Sequence, residues 1–514
     1  MMRGHEIFWQ SLKGLGINEI FGNPGTTEIP MLRSVEKYYL TLHDSISLGM
    51  ADALSQFSGK PALCNLHTVP GLGNSMAFLH TASQNHAPVI VTAGQQDYRH
   101  IFYDPILSGD LTGMVGGLVK YRYEIKDVAD IHRSIRRAYQ VALTPPMGPV
   151  FLSFPMNFMD NDYEERFEEF YPVNHESVNL SAVSEIMGMV NSASNPAIVF
   201  GYEIDLYHAF NEAQEFARRL GVPVYGEPLS SRGCYPSDDP QYAGDLPPAS
   251  ALIDMRLASN DLILVIGGDI TLYPYTPSPL LQGKKVIIVS TEVTGRIGVA
   301  YSMNPRLFLH EASKLASRKG NFARKQDYTL RTAVALARKK MEPLYVMSKL
   351  KGEFSDHVIV DESVSASQIL RNVVGYRPLS YFTAKTGQLG WALPAAAGIA
   401  TAHDKVLAVI GDGSFMYTLQ TLWTIRKYDL PVKVIILNNS GYMILRSFSQ
   451  SYYADMRDRD FLRPEMDIPG LVEAFHIPVQ VADAGLDSLK WLKEGSEPKV
   501  LVVNTSREVP KLFI

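Results

Sequence analysis

Hydrophobic positions in this chain come in short continuous runs rather than in strict alternation. Such runs, rich in β-branched residues and bounded by glycine or proline, lie at 88–94 (PVIVTAG), 149–154 (PVFLSF), 196–201 (PAIVFG), 262–268 (LILVIGG) and 285–290 (KVIIVS). Others follow at 405–413 (KVLAVIGDG), 431–439 (PVKVIILNN) and 499–505 (KVLVVNT). A strand that is apolar on both faces belongs in a parallel sheet covered on both sides. Longer segments with helical spacing separate the runs, so the pattern predicts an α/β fold of several doubly wound units.

Two polar stretches interrupt this alternation: 160–179 (DNDYEERFEEFYPVNHESVN) and 318–327 (RKGNFARKQD), the second followed by a basic helical segment up to about Met347. A chain of 514 residues exceeds what one hydrophobic core serves. Cutting at the polar stretches gives three expected domains, 1–165, 180–320 and 340–514, each of ordinary domain size.

Composition narrows the function classes. The net charge is only −5 and no run of like charges stands out, which gives no basis for a nucleic-acid or anionic-membrane partner. Cys64 and Cys234 are far apart and lack metal-ligand spacing, as suits a reducing cytosol. Residues 1–21 carry Glu6 and Lys13 in an amphipathic pattern rather than a signal core, and the apolar stretch 390–402 is broken by Pro394. The expectation is a cytoplasmic protein.

The chemistry concentrates at 406–439. A strand ends in Gly411-Asp412-Gly413-Ser414, and a long helix is expected next, with Phe415, Leu419, Leu422, Trp423 and Arg426 on one side. A second strand then closes with Asn438-Asn439. Asp412 and Asn439 thus fall at the carboxyl ends of two parallel strands, where open α/β sheets bind ligands. A carboxylate and an amide oxygen there can share one hard cation with phosphate oxygens, and a helix N-terminus favours the diphosphate's charge. Taken singly, GDGS reads as readily as a tight turn and Asn-Asn as a strand end. The 27-residue separation across strand, helix and strand makes the pair one motif.

That motif resembles the diphosphate site of the thiamine-diphosphate enzymes. The resemblance extends over nearly the whole chain. Phe21-Gly22-Asn23-Pro24-Gly25-Thr26-Thr27-Glu28, Asn65-Leu66-His67-Thr68 with Gly71-Leu72-Gly73-Asn74, and Val91-Thr92-Ala93-Gly94-Gln95-Gln96 look like the benzoylformate decarboxylase branch. Gly387-Gln388-Leu389-Gly390 and Leu393-Pro394-Ala395-Ala396 are similar to that family's aminopyrimidine-holding turn. The resemblance implies pyrimidine-binding, middle and diphosphate-binding domains in that order. It also implies thiamine diphosphate and Mg2+ as cofactors, and active sites between two subunits of a homodimer or homotetramer.

It further implies roles by residue. Asp412 and Asn439 supply side chains to the metal, and Gly441 supplies its carbonyl. Gly411, Gly413, Ser414, Tyr442, Met443 and Ile444 border the cofactor at one end, and Asn23, Pro24 and Gly25 at the other. The Gly387 carbonyl accepts from the aminopyrimidine amino group. Leu389, core when read alone, props the cofactor in its bent shape. His67 is the acid–base residue, its ordinary pKa being near neutrality. Thr26 either hydrogen-bonds the substrate carboxylate or caps the following helix.

The chain departs from the family pattern in two places. Where the family carries a glutamate facing the pyrimidine ring, this sequence has Asp44, whose carboxyl group falls about 1.5 Å short. Neighbouring His43 is a poor substitute. After Gly268, where the branch presents a second histidine, the sequence reads Asp269-Ile270-Thr271-Leu272-Tyr273-Pro274-Tyr275. The ordinary pKa of tyrosine, about 10, makes packing the simpler role for Tyr273 and Tyr275. Ile444 stands where aryl-specific decarboxylases carry a small residue, which favours small aliphatic 2-oxo acids such as pyruvate. The expected activity is decarboxylation of a 2-oxo acid with possible carboligation. The alternatives are an acetolactate-synthase-like carboligase and a cofactor-binding protein with little catalysis.

Overall fold

The structure, a computed structural model, describes residues 1–168, 170, 176–273, 279–324, 329–456 and 459–513. Tyr275 and parts of both polar stretches lie outside the described residues. Three six-stranded parallel sheets follow one another along the chain. The first holds β1 (Ile20–Gly22), β2 (Tyr38–Leu40), β3 (Ala62–Leu66), β4 (Val89–Gln95), β5 (Arg122–Glu124) and β6 (Val150–Pro155), in the spatial order β2-β1-β3-β4-β6-β5. The second holds β7 (Pro196–Phe200), β8 (Val224–Gly226), β9 (Tyr242–Asp245), β10 (Leu262–Ile266), β11 (Lys285–Ser290) and β12 (Val299–Ser302), in the order β9-β8-β7-β10-β11-β12. The third holds β13 (Val358–Glu362), β14 (Tyr381–Thr383), β15 (Val406–Gly411), β16 (Val432–Asn438), β17 (Val479–Val481) and β18 (Lys499–Asn504), in the order β14-β13-β15-β16-β18-β17.

The first and third sheets therefore share one topology, and the middle sheet has the dinucleotide-fold order. Central strands are buried throughout, as their continuous apolar runs require. The α/β, doubly wound class read from the sequence is the fold observed.

The outer sheets meet through two helices, α1 (Asp44–Ser58) and α3 (Ala392–Ile399), with α2 (Thr68–Gln84) packed beside α1. One apolar core runs through this contact, joining Leu48 and Phe78 to Trp391 and Ala395. The middle unit is tied in by a buried ion pair. Arg232 donates to Asp205 at 2.9 Å and to the carbonyl of Gln56 at the end of α1, while Asp205 accepts from the Leu379 amide. Residues from all three units thus meet in one polar lock.

Local structure corrects the sequence reading in three places. The long helix expected after Asp412 is two short ones, Asp412–Phe415 and Thr421–Lys427. Thr418, between them, turns its hydroxyl to the Gly390 carbonyl at 2.6 Å instead of continuing a helix. The buried face of the second piece is Thr421, Leu422, Thr424 and Ile425, whereas Arg426 is exposed and pairs with Asp429. The basic segment is also divided, into Thr329–Arg338 and Pro343–Glu353, because Pro343 opens a new helix. Finally, the stretch after residue 160 is not without structure. Asp162–Tyr163 pairs antiparallel with Met2–Arg3.

Candidate functional site

The residues singled out above gather at the carboxyl ends of the outer sheets, in two groups. In the third sheet, Asp412 directly follows β15 and Asn439 directly follows its parallel neighbour β16. The Asp412 carboxylate is buried and accepts from the backbone amides of Gly413 at 2.8 Å, Asn439 at 3.2 Å and Ser440 at 2.7 Å. Burial raises its pKa, against the pull of those amides. Beside it, the Oδ1 atom of Asn439 is buried and has no hydrogen-bond partner among the described residues. A buried amide oxygen left without a donor is costly in an apolar setting.

These two side chains border a cleft. Its walls are Ser363, Val364 and Ser365 after β13, Leu389, the Gly411–Ser414 turn, Asn439, and Gly441, Tyr442, Met443 and Ile444. The metal-site candidates, the glycine turn, Leu389 and the 441–444 segment are therefore brought together. Gly387 is exposed at the outer end of the turn that carries Leu389. A broader open groove beside helix Phe210–Leu220, lined by Arg218, Arg219 and Arg318, holds none of these residues.

The second group lies at the ends of β1 and β3. The turn 23–26 follows β1, and His67 follows β3. The His67 ring rests on Gly25, where an added Cβ would stand 2.1 Å from ring atoms, so only glycine fits there. Its Nδ1 lies 2.7 Å from Oε2 of Glu28, a carboxylate with no exposed surface. Glu28 also accepts from the Gly25 amide at 2.8 Å, the Gly94 amide at 2.9 Å and the Thr27 hydroxyl at 2.8 Å. With three other donors already aimed at it, Glu28 acts as an acceptor, so Nδ1 of His67 carries the proton and Nε2 is left for chemistry.

Asp44 is the first residue of α1 and is buried. Its carboxylate points at the first turn of α2: Oδ1 lies 3.4 Å from the His67 amide and 2.4 Å from where a Cβ on Gly71 would be. His43 caps α1 through its ring nitrogen, which accepts from the Ser45 amide, and is occupied there. Thr26 is exposed and does not cap the next helix, whose N-cap is Glu28. Tyr273 is exposed and its ring lies 6.2 Å from that of Phe513.

No residue of this second group lines the cleft formed by the first. Two buried carboxylates beside these groups were not singled out in the sequence, Glu28 and Glu362. Glu28 was visible only as an ionisable residue closing a glycine turn, and Glu362 as the charged end of the apolar run VIVDE.

Comparison with known proteins agrees with this layout. The N-terminal thiamine pyrophosphate-binding domain model matches residues 2–108, the central domain model 183–303, and the C-terminal binding domain model 364–503. Benzoylformate decarboxylase of Pseudomonas aeruginosa is 31% identical over 98% of this chain and 99% of its own length. The acetolactate synthase large subunit of Haemophilus influenzae is 23% identical over 94% of this chain and 90% of its own. The crystal structure of benzoylformate decarboxylase from Polynucleobacter necessarius superposes with a TM-score of 0.92 at 29% identity, covering 99% of this chain and 100% of that one. The chain belongs to the thiamine pyrophosphate enzyme family and is a thiamine-diphosphate-dependent enzyme related to benzoylformate decarboxylase and acetolactate synthase.

Proposed function

We propose that the protein decarboxylates a small 2-oxo acid, RCOCOOH giving RCHO and carbon dioxide, with Mg2+ holding the cofactor's diphosphate. The observation that carries this reading is the orphaned Oδ1 of Asn439 beside the Asp412 carboxylate in the cleft. The Asp412 carboxylate, the Asn439 side-chain oxygen and the Gly441 carbonyl would hold a hard cation, which would neutralise the diphosphate's charge. Gly411, Gly413 and Ser414 border the diphosphate. Leu389 and the Gly387 carbonyl hold the aminopyrimidine end.

Thiamine diphosphate, when bound, supplies the electron sink for the bond to the departing carbon dioxide. The chain's own residues orient the substrate and move the protons. Thr26, exposed at the turn that also holds Asn23 and Pro24, donates to the substrate carboxylate. His67 takes up a proton from solvent at Nε2, with Nδ1–H held by Glu28, and passes that proton on to complete the aldehyde. Asp44 takes the place of the carboxylate that faces the pyrimidine ring. Because none of these residues lines the cleft, a second copy of the chain completes each site, as a homodimer or homotetramer. The exposed Phe102, Tyr103 and Ile106 offer an apolar surface for that pairing.

We place the domains at 1–165, 180–320 and 340–514, and the protein in the cytosol, where its two free cysteines stay reduced. No described helix is long and apolar enough to cross a membrane.

Carboligation is a second reading. The segment Asp269-Ile270-Thr271-Leu272-Tyr273 offers no second histidine to speed protonation. The test is incubation with thiamine diphosphate, Mg2+ and a panel of 2-oxo acids. Carbon dioxide with free aldehyde supports decarboxylation, and carbon dioxide with a 2-hydroxyketone supports ligation. Cofactor binding without turnover of any acid sinks both, and leaves a binding protein disabled at Asp44.

A further inference from the structure

Glu362 ends β13 and is only 7% exposed, yet no part of the proposed chemistry uses it. Its two carboxylate oxygens are taken up by one short stretch of backbone. Oε1 accepts from the Gly390 amide at 2.5 Å and Oε2 from the Ala392 amide at 2.7 Å. Glu362 therefore joins the end of β13 to the turn that carries Leu389 into the cleft.

The Leu389 turn is held from other sides as well. Thr418 Oγ1 donates to the Gly390 carbonyl at 2.6 Å, so both polar groups of Gly390 are bound by side chains. Trp391 Nε1 donates to Asp52 on α1 at 2.7 Å. Gly390 has φ of +89°, and an added Cβ would come within 2.6 Å of Tyr417 Cβ, so the chain reverses there with no room to adjust. Ala392 opens α3, so an ionised carboxylate on its amide also favours the helix dipole. Two amides two residues apart, converging on one point, need an acceptor on each arm. A carboxylate has that, whereas an amide side chain would turn a donor toward one of them.

We propose that Glu362 is a positioning residue which, with Thr418, fixes the Gly387–Gly390 turn and so sets where Leu389 stands in the cleft. This rests on the proposal that Leu389 and Gly387 hold the aminopyrimidine end of the cofactor while Asp412 and Asn439 hold its diphosphate. The consequence is a separation of two binding functions. Glu362 serves the pyrimidine end and leaves the diphosphate end intact.

The experiment compares two probes, thiamine diphosphate and inorganic pyrophosphate, each titrated calorimetrically with Mg2+ into wild type, Glu362→Gln, Thr418→Val and Asp412→Ala. The expected result is that Glu362→Gln and Thr418→Val weaken thiamine diphosphate at least tenfold and change pyrophosphate less than threefold. Asp412→Ala is expected to weaken both probes. Equal losses for the two probes in Glu362→Gln and Thr418→Val, or no loss for either, overturn the positioning role. If Asp412→Ala binds both probes like wild type, the metal-site reading fails, while the Glu362 ratio still decides its own case. Should Glu362→Gln not fold, the ratio measured for Thr418→Val decides alone, since that variant removes the opposite arm of the same clamp.

Discussion

Glu28 Oε2 and His67 Nδ1 are 2.7 Å apart, with the carboxylate sealed from solvent and the ring one-fifth exposed. A buried acceptor behind an imidazole fixes both its tautomer and its orientation, leaving the other nitrogen to exchange protons. The pair ties the turn after β1 to the end of β3, two neighbouring strands of the first sheet.

Glu28→Gln is therefore expected to lower kcat about 10- to 100-fold through a misassigned tautomer, and His67→Ala about 10²- to 10⁴-fold through loss of the proton carrier. KM should change little in Glu28→Gln, because the group does not touch substrate. Steady-state kinetics on the best 2-oxo acid of the panel checks this. A Glu28→Gln enzyme with unchanged kcat would remove His67 from the proton path.

The short carboxylate at Asp44 makes a separate, sharper prediction. A misplacement of about 1 Å can cost on the order of a hundredfold in rate. Restoring the missing methylene in Asp44→Glu should raise the turnover rate about tenfold or more. The new side chain must still pass Gly71, whose open face lies 2.4 Å from Asp44 Oδ1 at the Cβ position. A rate that stays flat or falls shows that this active site is built around the shorter acid.

Metal dependence follows from Asn439. Chelation with EDTA should abolish thiamine diphosphate binding, and Mg2+ should restore it. Asn439→Ala should weaken the cofactor about 10- to 100-fold, the usual cost of disturbing a metal's immediate support. It should also leave the thermal midpoint of the metal-free protein unchanged or higher, because the orphaned buried oxygen is gone. Differential scanning fluorimetry with and without Mg2+ separates the two effects.

Stability should depend on pH through Asp52. Burial pushes its pKa up to about 7, against hydrogen bonds from Trp391, Gln56 and Asn85. An acid whose folded pKa lies above its unfolded value disfavours the folded state once it ionises. That cost is absent below pH about 4, grows as pH rises, and is complete above about 7. Glu203 and Glu362, also raised to about 7 by burial, act in the same sense. The thermal midpoint should fall between about pH 4 and pH 7 and level off above, and Asp52→Asn should flatten part of that slope. An unchanged slope in the variant would mean that Asp52 stays protonated or is solvated throughout.

How much of this was legible in the sequence follows from what each element buries. Central strands such as Lys285–Ser290 and Lys499–Asn504 announce themselves because both faces are covered, which makes their interiors continuous apolar runs with polar residues only at the ends. The partly exposed strands Arg122–Glu124 and Val479–Val481 left no such run. The broken helix after Asp412 was hidden because its cause, the bond from Thr418 to Gly390, spans 28 residues. Asp412 and Asn439 were readable from a local motif. Glu28 and Glu362 were not, because His67 and Gly94 beside Glu28, and Gly390 and Ala392 beside Glu362, come from distant segments that only the fold brings near.

Ile444 gives the last prediction. It lines the cleft and stands half-buried in helix Met443–Tyr452, whose first turn faces the Gly411–Ser414 turn across the site. A side chain there subtracts room from the substrate's R group, and each methylene of misfit in an apolar pocket is worth about 1–3 kcal/mol, or roughly 10- to 200-fold in specificity. Ile444→Ala removes three carbons and should raise kcat/KM for benzoylformate at least tenfold relative to pyruvate. Part of that gain should appear as a lower KM for the aryl acid, since the ring binds before chemistry begins. Pyruvate turnover should drop less than tenfold, because the small acid loses contact rather than alignment. If both acids respond equally, Ile444 supports the wall of the cleft without setting the size of its substrate.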